Sequence, residues 1–308
     1  MTAPESTTRR IFEARGTWTA IVTPFTAGPA PLVDYAALDG LVDDQIRGGV
    51  DAIVACGTTG ESPTLTHDEH DAVVEHVVKR VAGRTAVVAG TGSNSTAEAL
   101  RLTARAGEAG ADAAMLVCPY YNRPSQRMLF EHFRTISERS VLPIVLYNIP
   151  SRTGVNLEPE TVAELRRKLP RSIKAIKEAS GGLDNAQRIR SLCDIAILAG
   201  DDALTLPMMS IGATGVVSVA SNVVPRMVAH LVRAALEGEI GEARAAHERL
   251  QPLFRALFRE PNPVPVKCAL KLLGRGNGAV RAPLLPALSE TESALREVLQ
   301  TLGVLGAK

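Results

Sequence analysis

The chain is 308 residues long, 45% hydrophobic and 22% charged, with a formal net charge of +1. That size and apolar content supply a sizeable core for one large domain or two modest ones, and the chain should fold unaided. Balanced charge without long runs of one sign argues against a nucleic-acid or membrane-surface role and points to small-molecule partners.

In chain order, the first 16 residues, MTAPESTTRRIFEARG, hold an arginine pair with no apolar stretch behind it. They read as a loose tail rather than an export signal. Residues 17–224 then alternate short apolar runs with longer amphipathic stretches. The runs are TWTAIVTPF, DAIVACG, TAVVAGTG, DAAMLVCPY, LPIVLYNI, IKAIKEAS, DIAILAGDD and GATGVVSVASN. Several are near-continuous in apolarity, as parallel strands covered on both faces should be, and STAEALRLTARAGEAG between them has helical periodicity. Glycines in IRGGVD, EAGAD and IGATG mark helix-to-strand turns. Eight strand-helix units in about 220 residues predict an α/β fold, the (β/α)8 TIM barrel, over an open doubly wound sheet. Residues 225–308 change to helix upon helix, broken by EPNPVP at 260–265, and predict a small C-terminal helical region. No apolar run approaches the ~20 residues of a membrane-spanning helix. The four cysteines, Cys56, Cys118, Cys193 and Cys268, are widely spaced, which suggests reduced core thiols in the cytoplasm rather than disulfides or a zinc site.

In such a barrel, functional groups gather at the C-terminal ends of the strands and in the loops after them. That rule collects GTTGES, PYYNRPS, YNIPSRTG, the sixth run and GDD at one mouth. The sixth run carries Lys174 and Lys177, which strand alternation sends to opposite faces. An amine held among apolar neighbours is disfavoured as ammonium and available to attack a carbonyl, which is Schiff-base chemistry. The bland alternative is that Lys177 snorkels out or pairs with Glu178. Metal chemistry is poorly supplied, because all six histidines fall outside the strands. Asp201 and Asp202 either bind a cation or cap the next helix. GTTGES lacks the lysine of a Walker loop, but its hydroxyls and amides suit a carboxylate. Tyr120, Tyr121 and Tyr147, three of the four tyrosines, crowd at strand ends. In TLTHDEH, Thr66 and Glu69 form a capping-box pattern, with His67 and His70 on one helix face.

In order, GTTGESPTLTHDEH, AGTGSNSTAEA, PYYNRPSQ, YNIPSRTG, IKEASG, AGDDA, GVVSV and EPNPVPVK resemble the dihydrodipicolinate synthase family, also called 4-hydroxy-tetrahydrodipicolinate synthases. The likeness runs from about residue 17 to about residue 300. It implies a lyase of the hydro-lyase type, in lysine and diaminopimelate biosynthesis. Such an enzyme joins pyruvate to L-aspartate 4-semialdehyde through a lysine Schiff base, without a cofactor, and is usually a homotetramer built as a dimer of dimers. By resemblance Lys177 condenses with pyruvate, while Tyr147, Thr59 and Tyr121 relay protons, Tyr121 from the neighbouring subunit. Thr58 and Thr59 hold the pyruvate carboxylate, Arg152 binds the semialdehyde carboxylate, and Gly200 and Val217 line the site through backbone groups. Ser62, His67, His70, Asn94, Glu98 and Tyr120 match a site at which L-lysine inhibits some members, with Pro63 stiffening its loop. Two rivals remain: another pyruvate-dependent aldolase, acting on N-acetylneuraminate or keto-deoxy sugar acids, and a non-catalytic keto-acid-binding paralogue.

Overall fold

Strands in which both faces are apolar need cover on both sides, and a closed barrel ringed by helices provides it. The computed structural model describes residues 12–306. Its strands are Gly16–Ala20 (β1), Ala52–Ala55 (β2), Ala86–Gly90 (β3), Ala113–Val117 (β4), Ile144–Asn148 (β5), Ile173–Glu178 (β6), Ala196–Ala199 (β7) and Gly215–Ser218 (β8). All neighbours pair in parallel, and β8 returns to β1 to close the barrel. Trp18, Val54, Val88, Met115, Val145, Leu198 and Val217 fill the interior. Their strand neighbours Ile53, Val87, Leu116, Leu146, Ile176 and Ile197 face the helices instead. This is the two-residue alternation of a pleated strand. Between strands, Gly49 and Gly110 close the helices Tyr35–Gly48 and Thr96–Ala109 in left-handed backbone, φ 78 and 90.

One irregularity bears on the site. Ile173 pairs with Ile144, but Ala175 pairs with Val145, so Lys174 is an extra residue in β6. Its Nζ donates to Pro170 O (3.3 Å) beside the start of the strand.

Two expected boundaries move. Residues 1–11 of the expected tail lie outside the described residues, but Phe12 packs edge-on against Trp18 at 5.5 Å. The Trp18 indole donates to Arg15 O (3.0 Å), so residues 12–15 belong to the lower end of the barrel. At the other end, helix Pro225–Glu237 packs on β1, β8 and helix Tyr35–Gly48 and completes the helical ring. The boundary expected at 224 therefore comes one helix early, because the change of pattern marks the last strand and not the last barrel helix. The helices Ile240–Ala256, Val264–Leu272 and Ser289–Thr301 pack together beyond it. Residues 274–288 then run back to the loops after β1 and β2, where Asn277 Nδ2 donates to Phe25 O (2.8 Å). Among the described residues no helix is long and apolar enough to cross a membrane.

Candidate active site

The register that follows the extra residue in β6 sets Lys177 directly beside Tyr147 of β5. Both turn into the barrel, where Lys177 is 5% exposed and its Nζ lies 4.2 Å from the Tyr147 ring centroid. Among the described residues the Lys177 amine has no hydrogen bond or ion pair. The snorkelling and Glu178-pairing alternatives both fail on this geometry. Glu178 occupies the opposite face, accepting from Ser180 N (2.7 Å), Asn148 Nδ2 (3.1 Å) and Asn185 Nδ2 (2.7 Å). Asn148 also donates to Asn156 Oδ1 (2.8 Å) and accepts from Leu157 N (2.9 Å). Behind the wall, then, these side chains fasten the ends of β5 and β6 to the loop that carries Arg152. Arg152 sits exposed in the short helix Pro150–Thr153, its guanidinium unpaired among the described residues.

Gly200 continues the mouth after β7, donating its N–H to Glu178 O (2.8 Å). A Cβ there would stand 2.5 Å from Ala179 Cβ and 3.0 Å from Glu178 O, so the approach needs glycine. Val217 is a buried interior residue paired with Trp18 across β1 and β8. Asp201 caps the turn that follows, accepting from Ala203 N (2.8 Å), whereas buried Asp202 caps nothing next to it and instead ties down the end of β8, accepting from Ser218 Oγ (2.5 Å), Val219 N and Ala220 N.

After β2, Thr59 is buried and its Oγ1 accepts from Asn262 Nδ2 (3.0 Å). Glu61, in left-handed backbone with φ 54, pairs with buried Lys267 and accepts from Arg281 N (3.0 Å). Sequence reasoning missed these partners: Thr59 and Asn262 are 203 positions apart, and no local pattern joins them.

Thr58 and Arg152 also line a cleft of about 480 Å³ shared with Ser62, His67, His70, Glu98 and Tyr120. Five of the six residues matched to the inhibitor site thus meet in one groove that reaches the mouth. Asn94 is not among its lining residues; its carbonyl accepts from Asn122 Nδ2 (2.9 Å). Glu98 binds Ser93 Oγ and His67 Nε2 (2.5 Å), and the Ser93 hydroxyl, then His67, hold its carboxyl below the usual range. Tyr120 is pushed up by burial and by Glu98. His70 is lowered by burial, and its Nε2–H donates to Gly90 O (2.8 Å). Ser93, unforeseen from sequence, joins His67 in holding Glu98. The capping box is present: Thr66 Oγ1 accepts from Glu69 N (3.2 Å), and Glu69 Oε2 accepts from Thr66 N (2.9 Å).

Tyr121 stands apart. It is 91% exposed in left-handed backbone, φ 73, and one chain alone does not bring it to Tyr147. Among the described residues no three His, Cys, Asp or Glu side chains gather in a metal-holding group.

Residues 13–302 match the model of the Dihydrodipicolinate synthetase family. A 4-hydroxy-tetrahydrodipicolinate synthase of Methanothrix thermoacetophila is 51% identical over 294 residues, spanning 94% of this chain and 98% of that protein. The crystal structure of dihydrodipicolinate synthase from Aquifex aeolicus is 48% identical with a TM-score of 0.92, covering 94% of this chain and 99% of that one. A crystal structure from Cyanidioschyzon merolae with lysine bound is 42% identical with a TM-score of 0.91, at the same coverage.

Proposed function

The chain belongs to the Dihydrodipicolinate synthetase family, and we propose that it works as a 4-hydroxy-tetrahydrodipicolinate synthase with Lys177 as its nucleophile. Such an enzyme condenses pyruvate with L-aspartate 4-semialdehyde on the route to diaminopimelate and lysine. The whole-length likeness to synthases favours this activity over a sugar-acid aldolase. The observation that carries the residue-level reading is the Lys177 amine, buried, lying over Tyr147 and without a counter-charge.

In this reading Lys177 attacks the pyruvate carbonyl carbon and water leaves, forming an imine whose positive nitrogen draws electrons from the methyl carbon. Loss of a methyl proton gives an enamine, and its carbon attacks the semialdehyde aldehyde. The substrate amine then displaces Lys177 by transimination and closes the ring. Tyr147 lies over the nitrogen and moves its protons, with Thr59 and Tyr121 completing the relay. Thr58 and Thr59 hold the pyruvate carboxylate, Gly200 and Val217 shape the pocket, and Arg152, unpaired at the rim, receives the semialdehyde carboxylate. The imine nitrogen serves as the electron sink, so the scheme calls on no cofactor. The scheme fits a lyase of the hydro-lyase type, and the four free cysteines favour the cytoplasm.

The exposure and backbone of Tyr121 favour its delivery to a neighbouring subunit within a homotetramer. Mixed dimers of Tyr121→Phe and Lys177→Ala protomers should then regain activity, because one site holds both natural residues. The groove with Glu98, His67 and Tyr120 favours L-lysine as an inhibitor. The central experiment is borohydride reduction in the presence of pyruvate, followed by peptide mapping. Label on Lys177 is expected; label on Lys174, or none, rejects the scheme.

A further inference from the structure

β5 ends in two residues that face opposite ways. Tyr147 turns into the barrel beside Lys177, and Asn148, 0% exposed, turns outward at the entry of the segment 149–157 that carries Arg152. Its Nδ2 donates to Asn156 Oδ1 (2.8 Å) and to Glu178 Oε2 (3.1 Å), while its Oδ1 accepts from Leu157 N (2.9 Å). One side chain at the entry of the segment thus grips its exit. Glu178 decides which way round that amide sits. It is 1% exposed, has no basic partner among the described residues, and is held by three N–H donors. A carboxylate only accepts, so it turns the Asn148 NH2 toward itself and leaves the carbonyl oxygen for Leu157 N. An apolar side chain would fill this place without burying a charge, so packing alone gives no account of Glu178.

Arg152 has no side-chain tie of its own. Its guanidinium is unpaired among the described residues, so its backbone sets where it stands. That backbone is fastened beside Asn148: Arg152 N, Thr153 N and Thr153 Oγ1 all donate to Ile149 O (3.0 Å each). We propose that Asn148, oriented by Glu178, is a positioning residue for the second substrate: by closing the segment 149–157 it sets the place of the Arg152 guanidinium at the rim. The far limb has other ties, Gln126 Nε2 to Asn156 O (2.7 Å) and Arg123 Nε to Gly154 O (3.1 Å). Loss of the Asn148 grip therefore shifts the segment rather than releasing it. Imine formation at Lys177, on the inner face, does not pass through these bonds. The inference rests on Arg152 receiving the semialdehyde carboxylate.

The test uses Asn148→Asp, Glu178→Gln and their double variant, with thermal melting recorded for each chain. Asn148→Asp removes both donors and sets a second carboxylate against Glu178. It should lower kcat/KM for the semialdehyde about tenfold, while the rate of borohydride-trapped imine formation with pyruvate stays within about threefold. Glu178→Gln should act in the same direction, since its amide brings an NH2 against the Asn148 NH2. The double variant exchanges donor and acceptor: the introduced amide donates to the introduced carboxylate, and every bond is remade once the Asn156 and Asn185 amides turn over. It should return to within about threefold of the natural chain. Beside Arg152→Ala, Asn148→Asp should cost less than about threefold, because its route of action is gone. Asn156→Ala, half-buried near the exit of the segment, removes one acceptor and should cost about threefold on the same quantity. Where Asn148→Asp does not fold, Asn156→Ala decides alone. Natural semialdehyde kinetics in the deciding variant, with Arg152→Ala impaired, overturns this inference alone. So does an equal loss of imine formation, a double variant no better than the single ones, or an undiminished loss beside Arg152→Ala. Natural semialdehyde kinetics in Arg152→Ala overturns the role of Arg152 and this inference with it.

Discussion

Lys177 and Lys267 are 5% and 3% exposed, and their amines lie 4.2 Å and 4.0 Å from the ring centroids of Tyr147 and Phe25. Their surroundings differ in one respect, the supply of partners. Lys267 has the Glu61 carboxylate and a carbonyl; burial lowers its pKa and Glu61 opposes that fall. Beside it Arg281 is equally occupied, with both guanidinium ends on Glu69 and carbonyl bonds to Pro31 and Thr64. At the mouth neither Lys177 nor Arg152 has such a bond among the described residues. A basic side chain with its counter-charge fastens two segments; one without it is left for a substrate to complete. The same two residue types thus build a latch in one place and a reactive mouth in the other.

The largest expected effect separates the two lysines directly. Lys177→Ala should lower kcat by about 10³-fold or more and abolish trapped pyruvate, with activity of the natural chain indifferent to EDTA. Trapped pyruvate on Lys267 would break the contrast. Next, Lys267→Met leaves Glu61 buried and unpaired and should cost about 3–5 kcal/mol in denaturant unfolding. Adding Glu61→Gln should return more than half of that; an unchanged Lys267→Met chain would mean the latch carries no load. Arg152→Ala should reduce kcat/KM for the semialdehyde by about 10²-fold while imine formation with pyruvate persists. Equal loss of both would make Arg152 a structural residue or a pyruvate ligand.

A smaller effect probes the latch by acid. The Arg281 bonds hold the Glu69 carboxyl at about 2, from an ordinary 4.5. A depressed carboxylate stabilises the fold fully above its ordinary value and loses that contribution as pH falls toward the folded one, here a loss of about 2 kcal/mol between roughly pH 5 and 2. Asp43, Glu98 and Asp194 are also depressed and keep a slope of their own, so unfolding free energies across that window should slope less steeply in Glu69→Gln than in the natural chain; equal slopes would remove the Glu69–Arg281 pair as a cause. The smallest concerns the groove. Glu98, already bound by Ser93 and His67, should exchange part of that bonding for the amino group of L-lysine, and Glu98→Ala or His70→Ala should weaken binding about tenfold in calorimetry. No heat of L-lysine binding to the natural assembly would leave the capping box as the whole role of TLTHDEH.

Much of the mouth was legible because its logic is local. Apolar runs at regular spacing gave eight strands, and a lysine inside one of them stood out against Ile and Ala without any knowledge of the fold. The latch was opaque for the opposite reason. Glu61 and Lys267 are 206 positions apart, Glu69 and Arg281 are 212 apart, and each looks locally like an ordinary charged residue. The helix Pro225–Glu237 was assigned to the wrong layer, since amphipathicity reports that a helix has a buried face but not which surface covers it. His70 was read as a groove contact, yet burial and its bond to Gly90 make it also part of the wall.

The extra residue in β6 has a consequence for how this barrel can vary. Lys177 and Glu178 are neighbours in sequence, one facing the interior and the other the helices, and only the phase of the two-residue alternation decides which is which. Lys174, where the register shifts, is where that phase is set. A one-residue change of length between it and Lys177 would not tune the site by degrees: a deletion would present Glu178 where the amine now stands, and an insertion would present Ile176. Point substitutions in the first half of β6 therefore leave the phase intact, while changes of length there are all-or-none for the chemistry.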